Sequence, residues 1–413
     1  MSNRLLKLIG LQGLSKKERG LAYIFLITFV PLFYKLIVPF FVIAGLGEYT
    51  IIISGTILTI GIILSGNLFF KNIKTSDVAF YLFIALFLAL NPFLYPTSEN
   101  FVDENYFHFM LQVVPYYIVG LALCCDNRDK ILLFVAKWGI ITQVFWQACI
   151  MIGLVEHERS VIDGSLGEQM EVAYSLLFPI FILFVDLIKK FDIVNIILLL
   201  LGVCLLFFMG TRGPIVVFAV FILIYYVVLK NFKNYNIFKK GIIVGLFALF
   251  YFYIVPICAF IAPFAASLGF STRVFDSIVE QAMVNMNSAS NRDVFYGSVF
   301  SAIQSDGFGF GYGWGGDRLH TPTGGYAHNL ELELLCQFGI VGAGIIFLVL
   351  AAILCKSYLR NKQSREIWLT MICVGPLSLQ FSASYVAYPL FFVAIGYFVS
   401  SCRNKLENNN IAI

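Results

Sequence analysis

Long apolar runs, broken by short polar connections, repeat along almost the whole chain. A bilayer core takes a helix of roughly 17–25 apolar residues. Runs of that size recur near 21–45, 49–70, 76–96, 108–125, 131–154, 169–187, 192–210, 213–230, 240–263, 334–355, 366–384 and 386–402. The pattern predicts an all-α, polytopic membrane protein of about twelve transmembrane helices, the last two closely spaced. Residues 1–20 precede the first helix, 21–263 hold helices one to nine, 264–333 form one long loop, 334–402 hold helices ten to twelve, and 403–413 form a tail. Loops beyond about 12–15 residues are usually functional or disordered. The 264–333 loop is expected to be ordered, because it carries aromatics, glycines and helical-looking pieces at 272–286 and 292–304. No internal repeat, low-complexity tract or soluble domain is visible.

Composition supports this pattern. The 413 residues are 60% hydrophobic and 13% charged, with a mean hydropathy of +0.86. Soluble domains run at about 45–50% apolar and about 25% charged. The first apolar run follows a basic segment, shows no small-residue cleavage site and is followed by further runs, so it reads as an anchor and not a removed signal. Of the 28 cationic residues, 21 lie before the first helix or in every second connection, and only five lie in the alternate connections. The positive-inside rule then puts both termini in the cytoplasm and makes the number of spans even. The nine cysteines lie mostly in apolar runs and include no C-x-x-C pair. They read as small buried residues, with no support for a metal site or a disulfide framework.

Charge also marks candidate chemistry. The five external cations are Arg159, Arg212, Arg273, Arg292 and Arg318, all arginine in a chain richer in lysine. Arginine presents a planar, permanently charged fork that binds phosphate bidentately. Unrelated surface or ion-paired arginines are the plainer reading. Arg212 lies in "FFMGTRGPIVVF", at the outer membrane boundary between two runs. An ionisable residue there is a functional candidate; a snorkelling arginine is the alternative. Arg292 opens a stretch in which Phe295, Tyr296 and Val299 would share its helix face. It suits an amphipathic helix on the membrane surface, or else a local ion pair. Lys35 lies mid-span between Pro31 and Pro39. It would line a cavity for a lipid diphosphate, or else snorkel or pair with a carboxylate. Gly311-Tyr-Gly-Trp-Gly-Gly316 formally fits G-x-G-x-x-G, but without the flanking strand and helix of a dinucleotide site. It reads as a glycine-aromatic loop over a sugar site or as a structural turn. His328 and Asn329 stand just before an apolar run, followed by Glu331 and Glu333, whose spacing sends them to different helix faces. A helix cap without chemistry is the plainer reading of this pair.

Two separated segments carry a resemblance. "GTRGP" at 210–214 closes one span and opens the next; later come Arg292, a Gly-x-Gly region at 307–311, His328-Asn329, Glu331, Glu333 and "GIVG" at 339–342. This order resembles the O-antigen polymerase/O-antigen ligase superfamily of bacterial inner membranes. It is firm over about 205–225 and 290–345. No single motif is specific; the order and spacing carry the likeness. A weaker echo starts at Arg159, where Met170 stands in place of the expected Asn.

The resemblance implies a multi-helical fold similar to the C-type glycosyltransferases, with its long loop in the periplasm. It implies glycan transfer from undecaprenyl diphosphate, with Arg212 and Arg292 gripping the diphosphate and His328 acting at the acceptor hydroxyl. Arg159, Arg318, Lys35, Asn329 and Glu331 complete the expected substrate-binding set. Fixed arginines can stabilise a diphosphate leaving group without a metal, so neither metal nor cofactor is expected. An imidazole, which ordinarily titrates near about 6.5, suits proton removal at neutral pH. The expected activity is a repeat-unit polymerase; alternatives are a ligase onto lipid A-core and a lipid-linked oligosaccharide flippase, although transporters often show two related halves. Expected partners are the lipid-linked oligosaccharide, the membrane and a chain-length regulator, with no nucleic acid.

Overall fold

The structure is a computed structural model. It describes residues 11–29, 72–125, 127–151, 165–209, 211–226, 255–264, 292–360, 364–381 and 384–403, together with 266, 267, 276 and 279. The spans expected at 49–70 and over most of 21–45 and 240–263, the loop piece 272–286, and the positions Lys35, Arg159 and Arg273 lie outside the described residues.

Every described element is helical: α1 (Lys16–Phe29), α2 (Thr75–Leu94), α3 (Glu99–Ala122), α4 (Arg128–Met151), α5 (Ser165–Lys189), α6 (Ile193–Phe208), α7 (Arg212–Ile224), α8 (Val255–Phe264), α9 (Arg292–Ala302), α10 (Gly316–His320), α11 (Leu330–Arg360), α12 (Arg365–Ile372) and α13 (Pro389–Arg403). Single turns of 3-10 or π geometry join some of them. Within α2, α4, α5 and α11 lie helical stretches long and apolar enough to cross a membrane; α6, α8, α13 and most of α7 are shorter apolar helices. The described residues are thus all-helical, and their apolar helices fit a multi-pass membrane protein.

The helices follow the hydrophobic runs closely, with one instructive shift. The polar stretch between the runs at 76–96 and 108–125 is not a loop, because residues from Glu99 on form the first turns of α3. Pro96 breaks the chain before it, and Glu99 in the first turn suits the helix dipole. Of the last two apolar runs, the first is irregular. After α12 the backbone continues through a π turn at Cys373–Leu377 and a 3-10 turn at Ser378–Gln380.

Contacts divide the chain into two units. The first combines residues 1–28, 55–131 and 291–413. Here α3 and α13 meet backbone to backbone: a Cβ on Gly120 would lie 2.2 Å from the Val393 carbonyl oxygen, and one on Gly396 would lie 2.2 Å from that of Tyr117. Small residues allow such crossings between membrane helices. At one end of this pair Asp77 of α2 is buried. It accepts from the Tyr117 hydroxyl at 2.7 Å and the Lys74 amide at 2.8 Å, and it is ion-paired with Arg403. That corner ties α2, α3 and α13 together. The outer faces of α2 and α11 are apolar and bare: Phe93 is 82% exposed and Leu348 73%. Faces of this kind suit lipid and not water.

The second unit combines residues 29–54 and 132–290. Its core is α5, whose Phe181 stacks on Phe221 of α7 at 3.9 Å. Gly202 lets α6 approach, since a Cβ there would stand 2.7 Å from Ile140 Cδ1 and 3.0 Å from Ile180 Cγ1. Lys137 of α4 pairs with Asp192 at 3.6 Å.

Candidate functional site

The site in the first unit is built on a broken helix. α11 is interrupted at Gly339, whose backbone stands at φ 62° and ψ −175°. A straight helix would join the amides of residues 340 and 341 to the carbonyls of 336 and 337. Here the Ile340 amide donates to the Phe308 carbonyl at 2.8 Å, and the Val341 amide to that of Gly309 at 3.3 Å. The carbonyls of Cys336 and Gln337 accept instead from the amides of Tyr312 and Gly313, both at 2.9 Å. The glycine turn thus gives a partner to each of the four backbone groups that the two missing helical bonds would have joined.

That exchange gives the glycine run a structural role as a turn. Gly311, Gly313 and Gly315 all have φ between 74° and 85°. A Cβ on Gly311 would lie 2.5 Å from the Gln337 carbonyl oxygen, and one on Gly339 would lie 2.3 Å from that of Gly309. Trp314 anchors the turn. Its ring is fully buried with Phe101 and Phe109 at 5.1 and 5.2 Å, and its amide donates to the Asn91 side chain at 2.8 Å.

Beneath the turn runs a polar network that sequence reasoning missed. Asp317 is fully buried and accepts from the Gln337 amide group at 2.6 Å, Arg318 Nη1 at 3.1 Å and the Ala327 backbone amide at 3.0 Å. Arg318 also lies 3.7 Å from buried Glu333, donates to the Ser384 hydroxyl at 3.2 Å, and sits 4.5 Å over the Phe101 ring. Ser384 in turn donates to Glu333. The Tyr385 hydroxyl donates to Gln337 Oε1 at 2.6 Å. Burial, with the Glu333 and Asp317 carboxylates beside it, pushes that phenol well above its ordinary range, so it remains a donor. The available signal was a polar residue inside an apolar stretch: Gln337 in "ELLCQFGIVG" and Ser384 in "FSASYVAYP".

This framework holds the His-Asn pair. Asn329 caps α11: its Oδ1 accepts from the Leu332 amide at 3.0 Å, and its Nδ2 donates to Gln380 Oε1 at 3.3 Å. His328 precedes the cap with φ at 55°, a left-handed conformation uncommon outside glycine. Its ring lies 4.2 Å from that of Tyr326 and 5.7 Å from that of Phe295 on α9. The Tyr296 hydroxyl donates to its carbonyl at 3.4 Å. A small core of Val299, Ile303, Ala327 and Cys336 seats α9 against this turn and the first turns of α11. Glu331 is exposed and Glu333 is buried, on different faces as their spacing requires.

The remaining candidates fall as follows. Arg292 is the first residue of α9, in the same unit as His328. Arg212 is the first residue of α7, in the other unit, behind Thr211 as N-cap. Arg318 is engaged on both terminal nitrogens within the protein. It also borders a cleft of about 500 Å³. Among the described residues, no group of three His, Cys, Asp or Glu side chains is placed to hold a metal ion.

No curated protein and no solved structure matches the chain significantly. A family model described as O-antigen ligase matches residues 197–347, a stretch that includes Arg212, Arg292, Arg318, His328, Asn329 and Glu331. Members of that family are glycosyltransferase-like enzymes that act on lipid-linked glycans. Over residues 197–347, therefore, the chain is similar to the O-antigen ligase family.

Proposed function

We propose that the chain is a surface-polysaccharide polymerase, which moves a glycan from undecaprenyl diphosphate onto a lipid-linked repeat unit. The observation that carries this reading is the presentation of His328 by the Asn329 cap, at the end of a segment that includes Arg292 and within the matched region. The acceptor hydroxyl gives its proton to His328 as its oxygen bonds to the anomeric carbon. The bond from that carbon to the diphosphate oxygen breaks, and undecaprenyl diphosphate leaves with the electron pair. Arg212 and Arg292 stabilise the departing charge; each opens a helix, whose free amides also favour an anion. Asn329 and Glu333 act as positioning residues. Lys35, Arg159, Arg318 and Glu331 stay in the substrate-binding set, with Arg318 as a strut of the network.

The topology that fits is twelve spans in a bacterial inner membrane, with both termini cytoplasmic and the 264–333 loop periplasmic. The alternation of basic connections supports it. A chain-length regulator is the expected protein partner. A ligase that moves finished glycan onto lipid A-core is the second reading, favoured by the description of the matching family.

Deletion of the gene followed by lipopolysaccharide gel analysis tests both. A single repeat on core supports the polymerase. Core without any repeat, with lipid-linked polymer accumulating, supports the ligase. Arg212→Ala and Arg292→Ala should each abolish chain extension at unchanged protein level; long ladders in both would refute the diphosphate grip. His328→Ala should slow transfer by about 100–10,000-fold if the imidazole is the base.

A further inference from the structure

The cleft beside Arg318 has a chemistry of its own. Its volume of about 500 Å³ falls within the ~300–1,000 Å³ of small-molecule sites, enough for more than one sugar ring. One wall is the first turns of α3, where Asn100 and Glu104, and likewise Phe101 and Asn105, follow each other at helical spacing. The facing wall is Arg318 and Leu319 of α10. Asn100 and Glu104 are exposed, and Asn105 donates its Nδ2 to the Phe101 carbonyl at 3.0 Å, which leaves its amide oxygen as an acceptor.

The charge balance argues against an anion in this cleft. Arg318 is already met by Asp317 at 3.1 Å and Glu333 at 3.7 Å, and Glu104 adds negative charge at the rim. Two amides, a carboxylate and a guanidinium around an aromatic ring supply planar donors and acceptors for vicinal hydroxyls. The cleft is also rigidly linked to the His-Asn turn, because Asp317, next to Arg318, accepts from the Ala327 amide.

We propose that this cleft is a carbohydrate subsite, which holds hydroxyl-rich rings of the glycan adjoining those that react. The proposal rests on the glycan-transfer reading above. In that reading the diphosphate is held by Arg212 and Arg292 and not by the cleft residues.

The test uses the full-length protein in nanodiscs. Its probes are the host's repeat-unit oligosaccharide, released from its lipid carrier by mild acid, and sugar-free undecaprenyl diphosphate. The wild type should bind both. The combined Asn100→Ala, Glu104→Ala, Asn105→Ala variant should bind the oligosaccharide at least about tenfold more weakly, as expected for the loss of a few hydrogen bonds. Leu319→Trp, which fills the cleft from an exposed position, should do the same. Both variants should bind undecaprenyl diphosphate as the wild type does. A raised KM for the lipid-linked donor assigns the cleft to the donor chain, and a raised KM for the acceptor assigns it to the acceptor chain; either supports the subsite. Equal oligosaccharide binding by wild type and variants, or an unchanged KM for both substrates, overturns the subsite and leaves the transfer reading standing. A wild type that neither binds undecaprenyl diphosphate nor transfers glycan overturns both.

Discussion

Replacing Gly339 by alanine should undo the exchange of hydrogen bonds at the break in α11. The added Cβ would stand 2.3 Å from the Gly309 carbonyl oxygen and 2.4 Å from its carbon. Two responses are open to the chain. Keeping the break holds alanine in a conformation close to glycine-only, at about 1–3 kcal/mol before any overlap is counted. Straightening restores two helical bonds but gives up the four that cross to the glycine turn. The net loss is two bonds, about 1–3 kcal/mol at ~0.5–1.5 kcal/mol each. Both routes therefore cost about 1–3 kcal/mol or more, and straightening also frees the turn that carries Trp314 and Asp317. Hydrogen exchange reads this directly. The amides of Tyr312 and Gly313 should exchange about 5–150-fold faster, the equivalent of that free energy, and glycan transfer should fall with them. Gly344→Ala is the control: it lies on the same helix with nothing within 4 Å of the new Cβ, so it should be neutral or slightly stabilising. Unchanged exchange at Tyr312 and Gly313 in Gly339→Ala would refute this account of the break.

Two further predictions concern other parts of the first unit. Asp77→Ala strands Arg403 and the Tyr117 hydroxyl at the α2–α3–α13 corner; it should cost about 3–5 kcal/mol, seen as a lower thermal midpoint in detergent, and a midpoint equal to wild type would show that the corner does not clamp the bundle. Asn329→Ala should lose about 0.5–2 kcal/mol of cap energy and most transfer activity, while Asn329→Ser, which keeps a capping oxygen, should recover both; a serine variant that is stable but inactive would show that the amide does more than cap.

Much of the fold was legible because membrane insertion is written in one dimension. The hydrophobic runs at 76–96, 131–154, 169–187 and 192–210 became α2, α4, α5 and α6 within a few residues. The 292–304 piece became α9 and its π turn. The start of α3 was not legible: between Pro96 and Pro115 no proline or glycine interrupts the chain, so the helix forms although its first turns are polar. His328-Asn329 was visible as a pair before a helix, and both the cap and the splitting of Glu331 from Glu333 followed from spacing alone. The role of the glycine run was not visible, since the carbonyls it meets belong to residues more than twenty positions further on.

The sequence by itself determined the apolar helices and their order, the fit to a membrane, and the order of Arg212, Arg292 and His328 along the chain. These are consequences of local composition, of spacing at the helical period and of charge, all readable residue by residue. Only the tertiary structure decided that α11 breaks at Gly339, that the 308–313 stretch is a turn in which Phe308, Gly309, Tyr312 and Gly313 supply the missing bonds, and that Arg318 is locked between Asp317 and Glu333. Those facts depend on where distant backbone carbonyls and buried carboxylates meet, and a buried polar group is stable only when a partner from elsewhere in the chain arrives to satisfy it.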